Sequence, residues 1–537
     1  MAATDQLLEL ADGPWNGMVD AISPTTKQQG KYLLGQNIYP LDPSIGEGVV
    51  GRPGIRVMGG IGGAVGTRRS QGFYQFTKRD GTEYTIRIVG GKLYTLDWAN
   101  EVWSEVVTTA QLTAAGITLD ATASVAFLTF SNTVLISDGI NKPWSWNGTT
   151  AGGLVSLTNA PVFYGQMTSY AGRVWAIKAA ETSTMVWSEV DTANTGYEVG
   201  GYNNAWTIAQ TDPNRLYALI GTNEALYVLR ARSGTIVSGQ VTSTFAAAAS
   251  RESLSDTIGT ASPFAVVVQD LNIITLDADM HPQLLRPGGA GFTELWTPLR
   301  ETLKRAPKSP ALLAKCRSVL YTPAQLLLFA VPDAGSTECN MVLVYDVKGT
   351  VPMPVAVWRG WEITSMGMVK HPVTGAPYLF HGDTTGYTYQ HGNPEDVPGV
   401  WDDNFATGTV AIDHILETQS LGFDVAREKI FDRIDVSIRA STRMTIDISA
   451  KTPRGQSVPQ TIQVDSGFAG WDQTLWDDMV WDINVILGTQ ESHGDVGIDE
   501  QSRWIKARVR HKTVGEQFGL VALKAEAYTT DNDPEVP

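Results

Sequence analysis

The side chains best equipped for chemistry here are seven histidines, a surplus of carboxylates, a glycine run and three closely spaced Trp-Asp pairs. His371, His381 and His391 stand ten residues apart, a spacing that fits neither one helix face nor a zinc finger. They are therefore read as separate loop histidines at blade edges; His281, His414, His493 and His511 complete the set. Carboxylates could flank a glycosidic bond. Propeller hydrolases, however, repeat Asp-boxes of the form Ser-x-Asp-x-Gly-x-Thr-Trp, and the nearest segment, Ser137-Asp-Gly-Ile-Asn-Lys-Pro-Trp144, is wrongly spaced and unrepeated. Neither a Gly-x-Ser-x-Gly elbow nor a His-Glu-x-x-His pair occurs. The glycine-rich stretch Gly59 to Gly66 lacks the Gly-x-Gly-x-x-Gly spacing and the Gly-Lys-Ser/Thr ending of phosphate loops, so it reads as a flexible arm or interface loop. No catalytic, metal-binding or cofactor-binding residue is assigned, and the chain is read as a non-enzyme without a cofactor.

Trp471-Asp472, Trp476-Asp477 and Trp481-Asp482 fall five residues apart, whereas WD-repeat propellers place one such pair in each repeat of ~40 residues. A hairpin or loop carrying a tryptophan cluster fits better. It is either a hydrophobic cap or a subunit-contact surface, where Trp is enriched. Trp471, Trp476 and Trp481, with Arg52, are the interface candidates.

The elements that must position these groups recur. Tyr84 to Asp97, Val134 to Asp138, Arg173 to Ile177, Ala225 to Leu229, Leu271 to Asp277, Leu326 to Ala330 and Tyr378 to Phe380 each begin a strand–turn–strand unit. The units return at intervals of roughly 40 to 50 residues, the period of propeller blades. The fold class expected is all-β: an irregular six- or seven-bladed β-propeller over 72–392, an extended N-terminal arm over 1–71 and a C-terminal β-sandwich over 393–537. The arm is rich in Gly and Pro, which favour tight turns. The sandwich strands are Ile430 to Ile438, Met444 to Ser449, Trp504 to Arg510 and Gly519 to Tyr528, after a linker at Asn393 to Gly399. Residues 531–537 read as disordered. One helix is expected from Leu295 to Arg305, with Pro298 in its first turn. The basic cluster around it (Arg300, Lys304, Arg305, Lys308, Lys315 and Arg317) reads as a solvated helix face and loop rather than a DNA contact.

Bulk properties agree with a folded, non-DNA-gripping protein. Of 537 residues, 43% are hydrophobic and 18% charged, which excludes a disordered chain. The net charge of −16 argues against phosphate neutralisation but allows DNA to slide past an acidic wall. Two cysteines provide no disulfide framework. The start lacks the basic and apolar regions of a signal peptide, and no apolar stretch reaches the ~20 residues that span a bilayer. A soluble protein made in the cytoplasm is expected.

The order of short motifs is also informative. Asn37-Ile-Tyr-Pro40 precedes the turn Arg52-Pro-Gly-Ile55 and the repeated units; Ser420-Leu-Gly-Phe-Asp424, Lys429-Ile-Phe-Asp-Arg-Ile434 and the Trp-Asp pairs follow. This layout resembles the tail nozzle or tail hub (packaged-DNA stabilisation) proteins of short-tailed bacteriophages. The resemblance implies a structural virion protein, assembled in the host cytoplasm, that forms a homo-oligomeric ring of six copies beneath the portal and adaptor rings. It further implies that DNA passes through a central channel without sequence-specific binding, that the terminal segments dock to the adaptor, and that tail fibres or a needle can attach. The competing expectation is a carbohydrate-binding or glycan-hydrolysing propeller acting as a host-receptor tail protein. A third is a cellular propeller scaffold for protein partners, against which the irregular blade pattern weighs.

Overall fold

The structure, a computed structural model, describes all residues except 1–6, 13–14, 16, 21–30, 41–47, 60–67, 150–152, 199–202, 209–214, 240–248, 261, 270–271, 287–290, 393–401, 422–428, 440–443, 465–490 and 530–537. It is almost wholly β, and most of it is small antiparallel sheets in a propeller-like arrangement. The alternation around Tyr84 to Asp97 becomes a four-stranded meander of Ser70–Thr77, Glu83–Val89, Lys92–Asp97 and Val102–Val107. Two-residue turns with positive φ at both positions close several hairpins. Gly90 and Gly91 (φ 55° and 73°) join the second and third strands of this unit, and Ser131 and Asn132 (46° and 64°) join the first two strands of the next. This geometry matches the right-handed twist of the flanking strands.

Among the described residues, six further meanders follow. Their first strands are Ala126–Phe130, Phe163–Tyr170, Leu216–Gly221, Val266–Gln269, Arg317–Tyr321 and Ser365–Lys370. First strands lie side by side in most neighbouring units, and Ser365–Lys370 of the last returns to Ser70–Thr77 of the first. The last unit takes its fourth strand from the other end of the chain: Ile55–Val57 pairs antiparallel with Thr388–His391. Apolar side chains fill the gaps between units. Ile86, Ile88, Val134, Ile136, Trp144 and Trp146 form one such layer. Another holds Trp175 stacked on Trp187 at 4.7 Å. Burying each such side chain contributes about 1.5–3 kcal/mol, which explains why the tryptophans sit between sheets.

Two larger sheets use most of the remaining strands, while Asp403–Phe405 and Gly408–Val410 extend the last unit beyond Ile55–Val57. In one, Lys31–Gln36 attaches to Met353–Ile363 of the sixth unit and continues through His414–Thr418, Lys506–His511 and Met444–Thr452. In the other, Ile38–Pro40 and Val49–Gly51 join Gly519–Thr529, Lys429–Arg439 and Glu491–Ser502, with Leu7–Asp12 on the free side of Gly519–Thr529. Their apolar residues, among them Ile434, Val436, Ile446, Ile448, Val509 and Leu523, belong to one buried cluster. N-terminal strands thus pair with C-terminal ones.

The helix expected from Leu295 starts later and is divided: a 3₁₀ turn, Thr297–Leu299, precedes Arg300–Lys304. Pro298 does lie in the opening turn, and the Asp20 carboxylate accepts from the backbone N–H groups of Glu301 (3.1 Å) and Thr302 (2.7 Å). Among the described residues, no helix is long and apolar enough to cross a membrane.

Candidate functional site

Two places concentrate charge in this fold. The first is where the ring of small sheets meets the two larger sheets, and Arg52 is its centre. Arg52 follows Val49–Gly51 and is 1% exposed. Its guanidinium makes a two-pronged ion pair with Asp403 (2.8 and 2.6 Å) and lies 3.9 Å over the Trp361 ring. Trp361 Nε1 also donates to Asp403 at 3.2 Å. Arg52 Nε donates to Asn37 Oδ1 at 3.1 Å, an oxygen that also accepts from the Arg359 backbone N–H at 2.7 Å. Asn37 has φ of 56°, a conformation asparagine tolerates better than most residues. Gly54 is needed on the same path, because a Cβ there would lie 2.0 Å from the Asp402 carbonyl oxygen. Asn37 and Arg52, from two separate sequence motifs, therefore meet in one node.

The histidines correct the sequence reading. His381 and His391 are not loop residues; they sit on adjacent paired strands, are fully buried and face each other with ring nitrogens 2.8 Å apart. Their spacing of ten spans a hairpin: His381 is opposite Tyr389, and His391 is its diagonal neighbour two positions on. His414 and His511 form a second pair at 3.3 Å on neighbouring strands of the larger sheet. Burial first, then the Arg52 charge, pushes His381 down to about 3. Burial, then its partner histidine and Arg52, holds His391 and His414 well below the ordinary range. Burial also lowers His511, although Glu516 pulls the other way. These four rings are neutral at pH 7, and among the described residues no group of three or more His, Cys, Asp or Glu could hold a metal. Chemically the node is closed. It fixes one region against the other.

The second place is the centre of the ring, at the end where the first strands begin. A cavity of about 440 Å³ opens there, lined by residues from five units, among them Arg69, Ser124, Asp138, Tyr164, Phe264 and Lys315. Glu338 accepts from Arg69 (2.7 and 2.9 Å) and Lys315 (2.6 Å). Burial works against its ionisation, but those hydrogen bonds win and hold its carboxyl below the usual range. Behind the rim, Arg317 is 5% exposed, lies 4.0 Å over the Phe264 ring and donates to Ser124 Oγ. Burial lowers its pKa to about 10, so it stays charged at pH 7. The basic cluster expected to be solvated is thus split: Lys304 is exposed on its helix, whereas Lys315 and Arg317 turn inward. Strand alternation explains this, because Arg317 opens Arg317–Tyr321 on the same face as Val319 and Tyr321. Gly165 (φ 69°) sits at the register shift in Phe163–Tyr170, where a Cβ would lie 2.6 Å from Pro263.

Of the interface candidates, Trp471, Trp476 and Trp481 lie outside the described residues, as do most of the glycine run, the linker and the C-terminal tail. Arg52 is described, and it is buried inside the chain rather than displayed on a surface. Its partner Asp403 carried no sequence signal, and the mouth residues were visible only as members of unrelated strands.

No family profile matches the sequence, and no curated protein sequence matches it. Among solved structures, a computationally designed protein, Ika8, is similar at 10% identity and a TM-score of 0.36, over 63% of this chain and 99% of that one. BamB from Moraxella catarrhalis matches at 11% and 0.35, over 66% and 96%. PorZ, a surface component of the type-IX secretion system of Porphyromonas gingivalis, matches at 12% and 0.37, over 71% of this chain but 44% of that one. Likenesses at these scores carry no functional argument.

Proposed function

We propose that this chain is a structural subunit of a short-tailed phage tail, a nozzle or hub protein. In this reading the seven meanders are the blades of a closed seven-bladed propeller. The two larger sheets are a β-sandwich platform, to which the N-terminal arm contributes strands, and six copies form a ring beneath the adaptor. The observation that carries the reading is the Arg52–Asp403 node. It ties the platform to the last blade through a fully buried ion pair, as a part that bears load during DNA ejection requires. The net charge of −16 supports it, since an acidic wall repels DNA and lets it slide. The motif order Asn37-Ile-Tyr-Pro40, Arg52-Pro-Gly-Ile55 and Ser420 to Asp424 supports it independently.

The test is assembly. Purified protein mixed with its adaptor ring and imaged as single particles is expected to give a six-fold ring with a central hole. A protein that stays monomeric with the adaptor and adds nothing to a tail overturns the reading.

A further inference from the structure

We propose that Cys316 and Cys339 are a modification site: a hydroperoxide oxidises them to an intramolecular disulfide that staples the sixth unit. They are the only two cysteines in 537 residues, and the fold brings them together. Cys316 stands just ahead of Arg317–Tyr321, and Cys339 opens Cys339–Asp346, with Leu326–Val331 paired between those strands. Polar contacts clamp the two segments to each other. Lys315 Nζ donates to the Thr337 carbonyl (2.8 Å) and to Glu338 (2.6 Å), and the Cys339 thiol lies 3.4 Å from the Lys315 carbonyl oxygen. The Cys316 thiol lies 3.6 Å from the Leu312 carbonyl oxygen. Both side chains are fully buried, free and part of one apolar cluster. The thiols are within hydrogen-bonding contact of each other, which with burial holds the Cys316 thiol well above its ordinary range.

Buried thiols react slowly, so the site needs a small oxidant and a way in. The chain provides the way in. Cys316 comes soon after Pro310–Leu313, a helix of only four residues, and Cys339 comes soon after a turn exposed at Ala334, Gly335 and Thr337. Short surface segments of this kind open locally far more easily than the core beneath them. The chemistry then runs in two steps. One thiolate attacks hydrogen peroxide and breaks its O–O bond, giving a sulfenic acid and, with the thiol's proton, one water. The other sulfur attacks the sulfenic sulfur, hydroxide leaves with the second thiol's proton as another water, and the S–S bond closes. Two thiols and one peroxide thus give one disulfide and two waters. Because the partner sulfur is already in contact, closure outruns attack by a second peroxide. The staple joins the first strand of the sixth unit to its third, and the next, Met353–Ile363, carries the platform sheet. Tying residues 316 and 339 together restricts the unfolded chain and so favours the folded one.

The proposal does not depend on ring assembly, and its test reads the thiols directly. The folded full chain is treated with millimolar hydrogen peroxide, quenched with catalase, then unfolded and alkylated with iodoacetamide without reductant. Peptide mapping is expected to find no alkylated cysteine and one pair of peptides joined through Cys316 and Cys339, about 2 Da lighter than the two thiol peptides together. Dithiothreitol should restore two alkylatable thiols. The oxidised chain is expected to unfold at higher urea than the reduced chain, and dithiothreitol should reverse that shift. Cys339→Ala, and separately Cys316→Ala, should remove both the cross-link and the urea shift; thermal melting in dithiothreitol establishes that each variant folds. Thiols that stay alkylatable, sulfinic or sulfonic acid in place of the cross-link, a disulfide between two chains, or a urea shift that persists in the folded variants would each overturn the proposal.

Discussion

The ring and the platform are both antiparallel β, yet they are assembled by opposite rules. In the ring, each meander is built mostly from consecutive strands, as in Phe163–Tyr170, Arg173–Lys178 and Thr184–Trp187. In the platform, neighbours come from opposite ends of the chain: Lys31–Gln36 lies beside His414–Thr418, and Leu7–Asp12 beside Gly519–Thr529. Local pairing closes short loops and is entropically cheap, whereas the platform must close very long ones. The platform therefore depends on its long-range contacts to a degree the ring does not. The Arg52–Asp403 node, with a sequence separation of 351, is the most concentrated of them.

The strongest challenge to this contrast is to break the node. Asp403→Ala leaves the Arg52 guanidinium buried without its carboxylate and is expected to destabilise by about 3–5 kcal/mol. Urea unfolding with hydrogen-exchange mass spectrometry should show platform strands such as His414–Thr418 losing protection before Arg173–Lys178 does. Equal loss in both regions would mean that they unfold as one unit.

Acid should act on the same side of the contrast. Because the folded-state pKa of His381 is depressed from 6.5 to about 3, the unfolded chain binds the extra proton first. The stabilisation is complete above about pH 6.5 and is lost as pH falls toward 3, on the order of 3 kcal/mol at pH 4 for this one group. His391, His414 and His511 shift in the same direction and add to it. Melting temperature measured from pH 7.5 to 4 is expected to fall, and His381→Phe is expected to flatten the slope.

Within the ring the effects should be smaller and local. Ile177 is fully buried between the third and fourth units, and Ile177→Val is expected to destabilise by about 0.5–1.5 kcal/mol, with exchange changes confined to those units. The smallest effect should come from the half-exposed pair Lys92–Glu105, where Lys92→Gln is expected to change stability by less than about 1 kcal/mol and less still in high salt.

The legible part of this molecule is the part whose partners are near in sequence. Short apolar strands such as Leu93 to Leu96 and Val134 to Ile136, with positive-φ turns between strands, mark hairpins because pairing follows within a few residues. Arg52 and Asn37 were visible as motif residues, but not as partners of each other. His381 and His391 looked like unrelated loop residues, because a spacing of ten becomes a contact only once the hairpin register is set. Lys315 and Arg317 looked like surface charge, because nothing local says that five units converge around them.

By itself, then, the sequence determined the repeated hairpins, the all-β class and the net acidic charge, since these follow from side-chain alternation, turn chemistry and composition. Only the tertiary structure decided that Ile55–Val57 completes the last unit, that Asp403 neutralises Arg52, and that cations gather at the mouth. Those facts depend on closing long loops, where burial and charge compensation, rather than local propensity, select the partner.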